Sequence, residues 1–420
     1  MITKYSHEGQ EFKKHDLLNL GFEINEEKDI RKETLYNELT GEPLDEYKYT
    51  FNFVGFLINE ANDIFSVFPK HFRVDNPIID SGLIFDLISN HMQKRPDLYM
   101  GEEFGGHFES NYPFAAFFGV YNYYQRYGLY IENRKFVKPH VGGKINWKET
   151  IRKSNLYINN NNKITLFPYY YNETHFYNTF ITECMVFVID YTIKKFNAFI
   201  SLFPTDVNFP EYDFLSHKEE VIESLLHFRQ QVFRDNIIEL IDNLINFFAQ
   251  LEEGGRYYLK HYTFSSIWED IVMSYLNTNL KEVVGDSLVF SKNARKGFNF
   301  KKASFYPNLA NKKHYISPDY YFASGSTQYI LDAKYKETIR GIDYKQISYF
   351  MFLKDLLDES KPTPAPKFDK TYSALVIPSD KRYTKLHFQM DPKYSNVNSD
   401  IRIVEEYLDI KEVIIDYLKK

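Results

Sequence analysis

PDYYFASGSTQYILDAK, at residues 318–334, contains two short runs of aromatic and β-branched residues around a Ser-Gly-Ser-Thr sequence. The runs are residues 320–322 and 329–331, and the small residues between them are typical of a tight turn. The pattern predicts a β-hairpin whose two-residue loop is Gly325 and Ser326.

The predicted hairpin brings charged side chains together at its open end. With that loop, Asp319 lies directly opposite Asp332, and Lys334 points to the same side because side chains alternate along a strand. Two facing carboxylates destabilise a sheet unless positive charge lies between them. A hard divalent cation held by oxygen ligands is the usual solution, so the sequence predicts a metal site.

These residues have the chemistry that phosphodiester hydrolysis requires, namely a metal-activated water and neutralisation of charge at the scissile phosphate. The predicted metal ligands are Asp319, Asp332 and the backbone carbonyl of Ala333. Lys334 is expected to orient the attacking water and to offset developing negative charge. Because Mg²⁺ binds through one or two carboxylates and keeps several waters, this sparse set favours Mg²⁺ over zinc, with Mn²⁺ as a substitute.

Glu269 lies in a predicted helix at about residues 264–276 and is a further candidate carboxylate if that helix packs beside the hairpin. Taken alone, Glu269 is an ordinary solvated helix residue, and an Asp-x-Lys triplet is common at strand ends. The facing register, the preceding proline and the order helix, hairpin, helix together favour the catalytic interpretation.

A basic segment precedes the hairpin. Residues 292–313 contain no acidic residue, and aromatic residues are interleaved with the basic ones. Beside a metal site, such a segment favours contact with a DNA phosphate backbone; the alternative is a solvated loop in a lysine-rich protein. The candidate DNA-binding residues are Lys292, Arg295, Lys296, Lys301, Lys302, Lys312 and Lys313.

Composition limits the class of protein. The chain has 420 residues, of which 44% are hydrophobic, and therefore favours two domains over one. A net charge of -6 gives no global attraction to nucleic acid, so such binding must be local or shared with a partner. A single cysteine, Cys184, excludes an intramolecular disulfide framework. The N-terminal stretch is polar, and no apolar run is long enough for a membrane helix. We therefore expect a cytoplasmic protein without membrane contact.

Interleaved helix and strand patterns predict an α/β fold. Residues 49–72 show strand-like alternation on both sides of a turn, which predicts a β-hairpin. Residues 177–196 and 217–252 have helical periodicity, and predicted strands are interleaved with predicted helices after residue 254. We expect a β-rich N-terminal domain at residues 1–155 that binds a partner and also DNA. A helical connector at residues 156–253 and a catalytic α/β domain at residues 254–420 are expected to follow.

The residues at the predicted site resemble the PD-(D/E)XK nuclease signature, with Asp319, Asp332 and Lys334 joined by Glu269. YKQISY, at residues 344–349, is similar to the glutamine-containing helix of many such enzymes, which makes Gln346 a further catalytic candidate. Those enzymes often have tyrosine four residues after the glutamine. Here phenylalanine occupies that position, so no role is assigned to the tyrosine at position 349.

Shorter matches extend the resemblance over most of the chain in order. VGFL at residues 54–57, followed by Pro-Lys at 69–70, and GKINWKETI at 143–151 resemble the McrC-like restriction subunits and, more narrowly, the LlaJI family of restriction endonucleases. This resemblance implies a restriction-endonuclease-like mixed sheet flanked by helices. It also implies a subunit that cuts double-stranded DNA in anti-phage defence, while its N-terminal region engages a separate McrB-like AAA+ GTPase. The chain contains no G-x-x-x-x-G-K-[ST] phosphate loop, which fits that division of labour.

Two alternatives stay open. The main rival belongs to another class and is a non-catalytic activator of the GTPase that keeps the nuclease fold as a scaffold. The other is a stand-alone nuclease of repair or transposition. A pure scaffold has no need to tolerate two facing carboxylates, so we expect the catalytic subunit.

Overall fold

The computed structural model describes residues 3–12, 21–36, 43–95, 107–139, 143–158, 163–208, 212–252, 254–292, 294, 297–358, 363, 365–395, 397 and 399–419. The architecture is α/β, with mixed sheets and several helices, as the sequence predicts. In the described part of the chain, no helix has the length and apolar character needed to cross a membrane.

The strands and helices are numbered here in chain order. The strands are β1 (Thr3–His7), β2 (Glu11–Phe12), β3 (Ile30–Tyr36), β4 (Pro43–Phe51), β5 (Val54–Ile58), β6 (Ile64–Phe68), β7 (Phe108–Ser110), β8 (Ile131–Pro139), β9 (Asn155–Ile158), β10 (Ile164–Phe167), β11 (Tyr170–Asn178), β12 (Tyr257–His261), β13 (Leu280–Val284), β14 (Ser287–Phe290), β15 (Tyr320–Ser324), β16 (Thr327–Ala333), β17 (Lys370–Ser379), β18 (Tyr383–Gln389) and β19 (Arg402–Asp409). The helices are α1 (Glu26–Asp29), α2 (Pro77–Lys94), α3 (Phe114–Tyr127), α4 (Trp147–Lys153), α5 (Phe180–Lys195), α6 (Lys218–Arg229), α7 (Asp235–Gln250), α8 (Phe264–Asn279), α9 (Tyr344–Lys354) and α10 (Ile410–Leu418).

The chain forms two compact units. The first comprises Met1–Tyr112, Ala198–Ile200 and Glu252–Lys420, and the second comprises Pro113–Asn197 and Ser201–Leu251. The units do not coincide with the three consecutive segments expected from the sequence, because β12 lies after residue 254 yet pairs with β5 and β7.

The N-terminal part of the first unit is a five-stranded sheet in the order β1-β6-β5-β12-β7. The β5–β6 hairpin confirms the hairpin predicted within residues 49–72. Every residue of both strands is buried. Gly55 has φ +154°, and a Cβ atom there would lie 1.9 Å from the Leu259 carbonyl oxygen. This close approach of β12 to β5 therefore requires glycine.

The C-terminal part of the first unit is a five-stranded mixed sheet in the order β15-β16-β17-β19-β18. β16, β17 and β19 are parallel, whereas β15 and β18 are antiparallel edge strands. The central strand β17 ends in a continuous buried run from Ser373 to Ser379, as expected for a parallel strand covered on both faces. Helix α8 packs against β16, α9 packs against β16 and β17, and α10 packs against β19.

The second unit contains α3, α5, α6 and α7 with two antiparallel strand pairs, β8–β11 and β9–β10. The helical periodicity over residues 217–252 corresponds to two helices and not to one, because α6 ends at Arg229 and α7 begins at Asp235. Gln231 N–H donates to the Phe228 carbonyl, which closes a turn between the two helices. Since α6 and α7 pack against each other, their apolar faces give one uninterrupted periodic pattern in the sequence.

Candidate functional site

The β15–β16 hairpin has the register that the sequence predicts. Its pairs run from Ser324 opposite Thr327 to Tyr320 opposite Leu331, so Gly325 and Ser326 form the loop. Gly325 has φ +58°, which glycine adopts without strain at the first position of a two-residue turn.

Asp319 lies one residue before β15, and the strand pairing stops one step short of it. Asp319 and Asp332 are therefore not paired in the β-ladder, although the sequence predicted that they lie directly opposite each other. Instead, Asp319 Oδ2 accepts a hydrogen bond of 2.9 Å from the backbone N–H of Ala333. Because Ala333 directly follows Asp332, this bond still brings the two carboxyl groups to the same end of the hairpin.

Asp332 is buried at the end of β16 and holds two ammonium groups. Lys334 Nζ lies 2.8 Å from Asp332 Oδ2, and Lys345 Nζ lies 3.2 Å from Asp332 Oδ1. The expected proximity of Lys334 to Asp332 is confirmed. Lys334 Nζ also lies 3.0 Å from Asp343 Oδ2, so this lysine is held between two carboxylates.

Glu269, on α8, is electrostatically coupled to the hairpin carboxylates. Burial is the main cause that raises the pKa of Glu269, and the negative charges of Asp319 and Asp332 raise it further. The Tyr320 hydroxyl donates a 2.9 Å hydrogen bond to the Glu269 backbone carbonyl, which ties α8 to β15. The expected packing of this helix beside the hairpin is therefore present.

The pKa of Asp319 is also raised, first by burial and then by the charge of Asp332, while Lys345 and Lys302 act in the opposite direction. Burial works to lower the pKa of Lys334, but the attraction of Asp332 and Asp343 outweighs it and the pKa is raised. Clusters of acids and bases with perturbed pKa values are found at functional sites and also in structural ion-pair networks.

The donors for a metal are few. Among the described residues, no group of three or more His, Cys, Asp or Glu side chains is arranged to hold a metal ion. The ligands predicted from the sequence are two carboxylates and the carbonyl of Ala333, so most of the coordination sphere would have to be water.

Gln346 lies in the first turn of α9 and is fully buried. Its side-chain amide donates to the Ile330 carbonyl and to Ser373 Oγ, both at 2.9 Å. These bonds fix α9 against β16 and β17. In this structure Gln346 therefore positions the helix, and its side chain has no access to a substrate.

The basic segment before the hairpin is anchored by its aromatic residues. Phe298 and Phe300 pack against Phe322 of β15 and Tyr329 of β16, and the backbone of Lys301 pairs with that of Tyr321. The candidate lysines of this segment that the structure describes are all exposed, and Arg295 and Lys296 lie outside the described residues. The exposed candidates are Lys292, Lys301, Lys302, Lys312 and Lys313.

Sequence reasoning missed Lys345, Asp343 and His387. Asp343 caps α9 by accepting from Gln346 N–H at 2.9 Å, and its own N–H donates to His387 Nε2 at 3.1 Å. The other ring nitrogen of His387 lies 2.8 Å from Glu405 Oε1. An Asp at a helix N-cap was detectable in the sequence, but the link to a histidine in β18 depends on tertiary packing.

Comparisons of the chain with protein-family models and with curated proteins find no match. The cluster formed by Glu269, Asp319, Asp332, Lys334 and Lys345 is therefore the feature of the chain that points to a function.

Proposed function

We propose that this chain is a Mg²⁺-dependent DNA endonuclease with a restriction-endonuclease-like C-terminal fold. The observation that carries the proposal is the meeting of Asp319, Asp332 and Lys334 at one end of a hairpin in a mixed sheet. Glu269 lies on the helix that Tyr320 ties to β15, and its pKa is raised by burial and then by the negative charges of Asp319 and Asp332. Clusters of this composition suit metal-assisted phosphodiester hydrolysis.

The donor set is compatible with Mg²⁺, or with Mn²⁺ as a substitute. All the candidate ligands are oxygens, and Mg²⁺ binds through as few as one or two carboxylates while keeping several waters. Asp319 and Asp332 would hold the ion, together with the carbonyl of Ala333. When bound, the ion would supply an acidic water and neutralise charge on the phosphate.

Lys334 has a defined role in this proposal. Its ammonium group lies between Asp332 and Asp343 and stays protonated because both carboxylates raise its pKa. A fixed positive charge beside the reacting phosphate stabilises the negative charge that develops in the transition state. Glu269, which is not among the proposed metal ligands, has a raised pKa, so its carboxyl group can exchange a proton nearer to neutral pH than an ordinary acid.

Double-stranded DNA is the proposed substrate because two exposed lysines lie near the carboxylates. Lys302 belongs to the segment that packs along β15, and its charge acts on both Glu269 and Asp319. Lys345 adds a second exposed ammonium on the α9 side. A chain with a net charge of -6 would then bind DNA through a local patch rather than a global field.

We further propose that the chain is the cutting subunit of a bacterial restriction system and works with a McrB-like AAA+ GTPase. The proposal is supported by exposed apolar side chains of the second unit, on α4 and on both faces of the β9–β10 strand pair, in the region of the GKINWKETI sequence. Concentrations of exposed apolar side chains are typical of protein contact sites. They are Trp147 and Ile151 of α4, Leu156, Tyr157 and Ile158 of β9, and Ile164 and Phe167 of β10.

The test is a plasmid cleavage assay with the purified chain and Mg²⁺, with and without the motor subunit and GTP. Cleavage by the wild type, and none by Asp319→Ala or Lys334→Ala with unchanged folding and motor binding, is the expected result. Full cutting by either variant would refute the assignment. A chain that stimulates the GTPase without cutting would be a non-catalytic activator, and cutting that needs no GTPase would indicate a stand-alone nuclease.

A further inference from the structure

Asp332 is neutralised by two lysines that differ in how firmly they are held. Lys334 Nζ contacts Asp332 Oδ2 at 2.8 Å and Asp343 Oδ2 at 3.0 Å, and 14% of its side chain is exposed. Lys345 Nζ contacts Asp332 Oδ1 at 3.2 Å, and 54% of its side chain is exposed. In the described part of the chain, Asp332 is the one carboxylate within ion-pair distance of Lys345.

This asymmetry matters because the carboxylate of Asp332 is also a proposed metal ligand. Only 2% of the Asp332 side chain is exposed, and each of its two carboxylate oxygens already contacts a lysine ammonium group. A divalent cation at Asp319 and Asp332 would repel these two positive charges. Lys334 has a second carboxylate to hold it, whereas the more exposed Lys345 has solvent available to it once a cation balances Asp332.

We propose that Lys345 is an exchangeable counter-ion. Its ammonium group neutralises Asp332 when no cation is bound, and it leaves Asp332 and binds a phosphate of the DNA backbone when a divalent cation enters. This inference rests on the proposed nuclease function and adds a specific phosphate-binding residue to it. The buried carboxylate is thereby paired in both states, which avoids the large cost of an isolated buried charge.

The position of Lys345 suits both roles. It lies in the first turn of α9, whose orientation is fixed by the buried Gln346 one residue later. Its side chain passes over the Tyr349 ring, with Nζ 5.4 Å from the ring centroid. The exposed Lys302 also supplies positive charge to Asp319 and Glu269. A phosphate placed over the carboxylates would thus have two exposed lysines near it.

The first experiment measures cation binding without catalysis. Ca²⁺ is titrated into the full chain by calorimetry, comparing the wild type with Lys345→Gln, Lys345→Arg and the control Lys381→Gln. Lys381 is also exposed and lies outside the cluster. Removing the competing ammonium should tighten Ca²⁺ binding several-fold in Lys345→Gln, whereas Lys345→Arg and Lys381→Gln should bind as the wild type does.

The second experiment measures DNA binding in Ca²⁺ over a range of salt concentrations. Lys345→Gln should bind DNA more weakly, with a salt slope reduced by about one phosphate contact. Ca²⁺ affinity in Lys345→Gln that is unchanged or weaker, while the wild type binds Ca²⁺ and cleaves DNA, overturns this inference and leaves the nuclease assignment intact. If the wild type neither binds Ca²⁺ nor cleaves, both proposals are wrong.

Discussion

Asp319 accepts a hydrogen bond from the backbone N–H of Ala333, and this bond joins the start of β15 to the residue between Asp332 and Lys334. The contact places one carboxylate beside the other without making them a strand pair. The two acids are thus held together by backbone geometry, although their charges repel each other and the pKa of Asp319 is raised by burial and by Asp332.

The first prediction concerns Asp319→Asn, which keeps an acceptor for Ala333 N–H but removes the charge. The pKa of Asp319 in the folded chain lies above its ordinary value of 3.8, so the protonated form is favoured by folding. The stability that this provides is complete below pH 3.8 and is lost as the pH rises through the raised pKa. Asp319→Asn should therefore be more stable than the wild type near pH 7, and the difference should disappear near pH 3.8.

Urea denaturation at a series of pH values measures this difference. The same variant should cleave far more slowly, since a neutral amide oxygen binds Mg²⁺ more weakly than a carboxylate does. A variant less stable than the wild type at neutral pH would contradict the prediction and indicate that the ionised carboxylate stabilises the fold.

Much of this site follows from local sequence. The turn at Gly325 sets the register of the hairpin, and that register places Asp332 and Lys334 correctly because side chains alternate. The exact placement of Asp319 does not follow, because the strand pairing ends before it. Whether a β-ladder continues for one more residue depends on competing hydrogen bonds. Here the backbone N–H of Ala333 donates to the carboxylate of Asp319.

The residues that sequence reasoning missed are those that reach the cluster through tertiary packing. Lys345 contacts Asp332 because α9 packs against β16 and β17. The sequence of α9 alone does not predict which of its faces packs against the sheet. The division into two compact units could not be predicted from the sequence either, since β12 pairs with strands more than 140 residues earlier in the chain. Periodicity reports local structure, whereas these contacts depend on where separate elements dock.

The second prediction concerns Gln346, which is buried and donates to the Ile330 carbonyl and to Ser373 Oγ. Gln346→Ala should lower the free energy of unfolding by about 1–3 kcal/mol because it leaves buried polar groups without partners. Thermal or urea denaturation measures the loss. The exposed Gln231→Ala is the control, with an expected change within about 0.5 kcal/mol.

A different outcome would change the role of Gln346. Unchanged stability of Gln346→Ala together with lost cleavage would mean that the side chain leaves its buried position and contacts the DNA. That result would restore the catalytic role that the sequence resemblance implies.

The third prediction concerns Tyr335, the residue after Lys334. Its hydroxyl donates to Glu8 Oε2 at 2.7 Å and accepts from Lys70 N–H at 3.0 Å, which links the site to β1 and to the end of β6. Tyr335→Phe should cost about 1–3 kcal/mol of stability, since both partners are left unsatisfied. The exposed Tyr344→Phe is the matched control and should change stability by less than about 0.5 kcal/mol.

The pH dependence of Tyr335→Phe has a definite sign. Burial raises the pKa of Glu8 above its ordinary value of 4.5, while Lys70 and the Tyr335 hydrogen bond lower it. Loss of that bond should raise the pKa of Glu8 further, so the variant should lose more stability as the pH rises above 4.5. A deficit that is the same from pH 4 to pH 8 would show that Glu8 does not respond to the hydroxyl.

The fourth prediction separates two groups of lysines in the basic segment. Lys302 exerts its charge on Glu269 and Asp319, whereas Lys312 and Lys313 lie exposed in the turn before the hairpin. If the segment binds DNA phosphates, each Lys→Gln change should weaken binding across all sequences and reduce the salt slope by about one. Only Lys302→Gln should also slow cleavage at saturating DNA, because it alone alters the field at the carboxylates.

Binding titrations at several salt concentrations, together with single-turnover cleavage, distinguish the two effects. The pKa of Glu269 is lowered by Lys302, so its removal should shift the pH dependence of cleavage to higher pH. Lys312→Gln with Lys313→Gln should leave that profile unchanged and serves as the internal control. An unchanged salt slope in all variants would identify the segment as a solvated strap that packs on β15 and does not contact DNA.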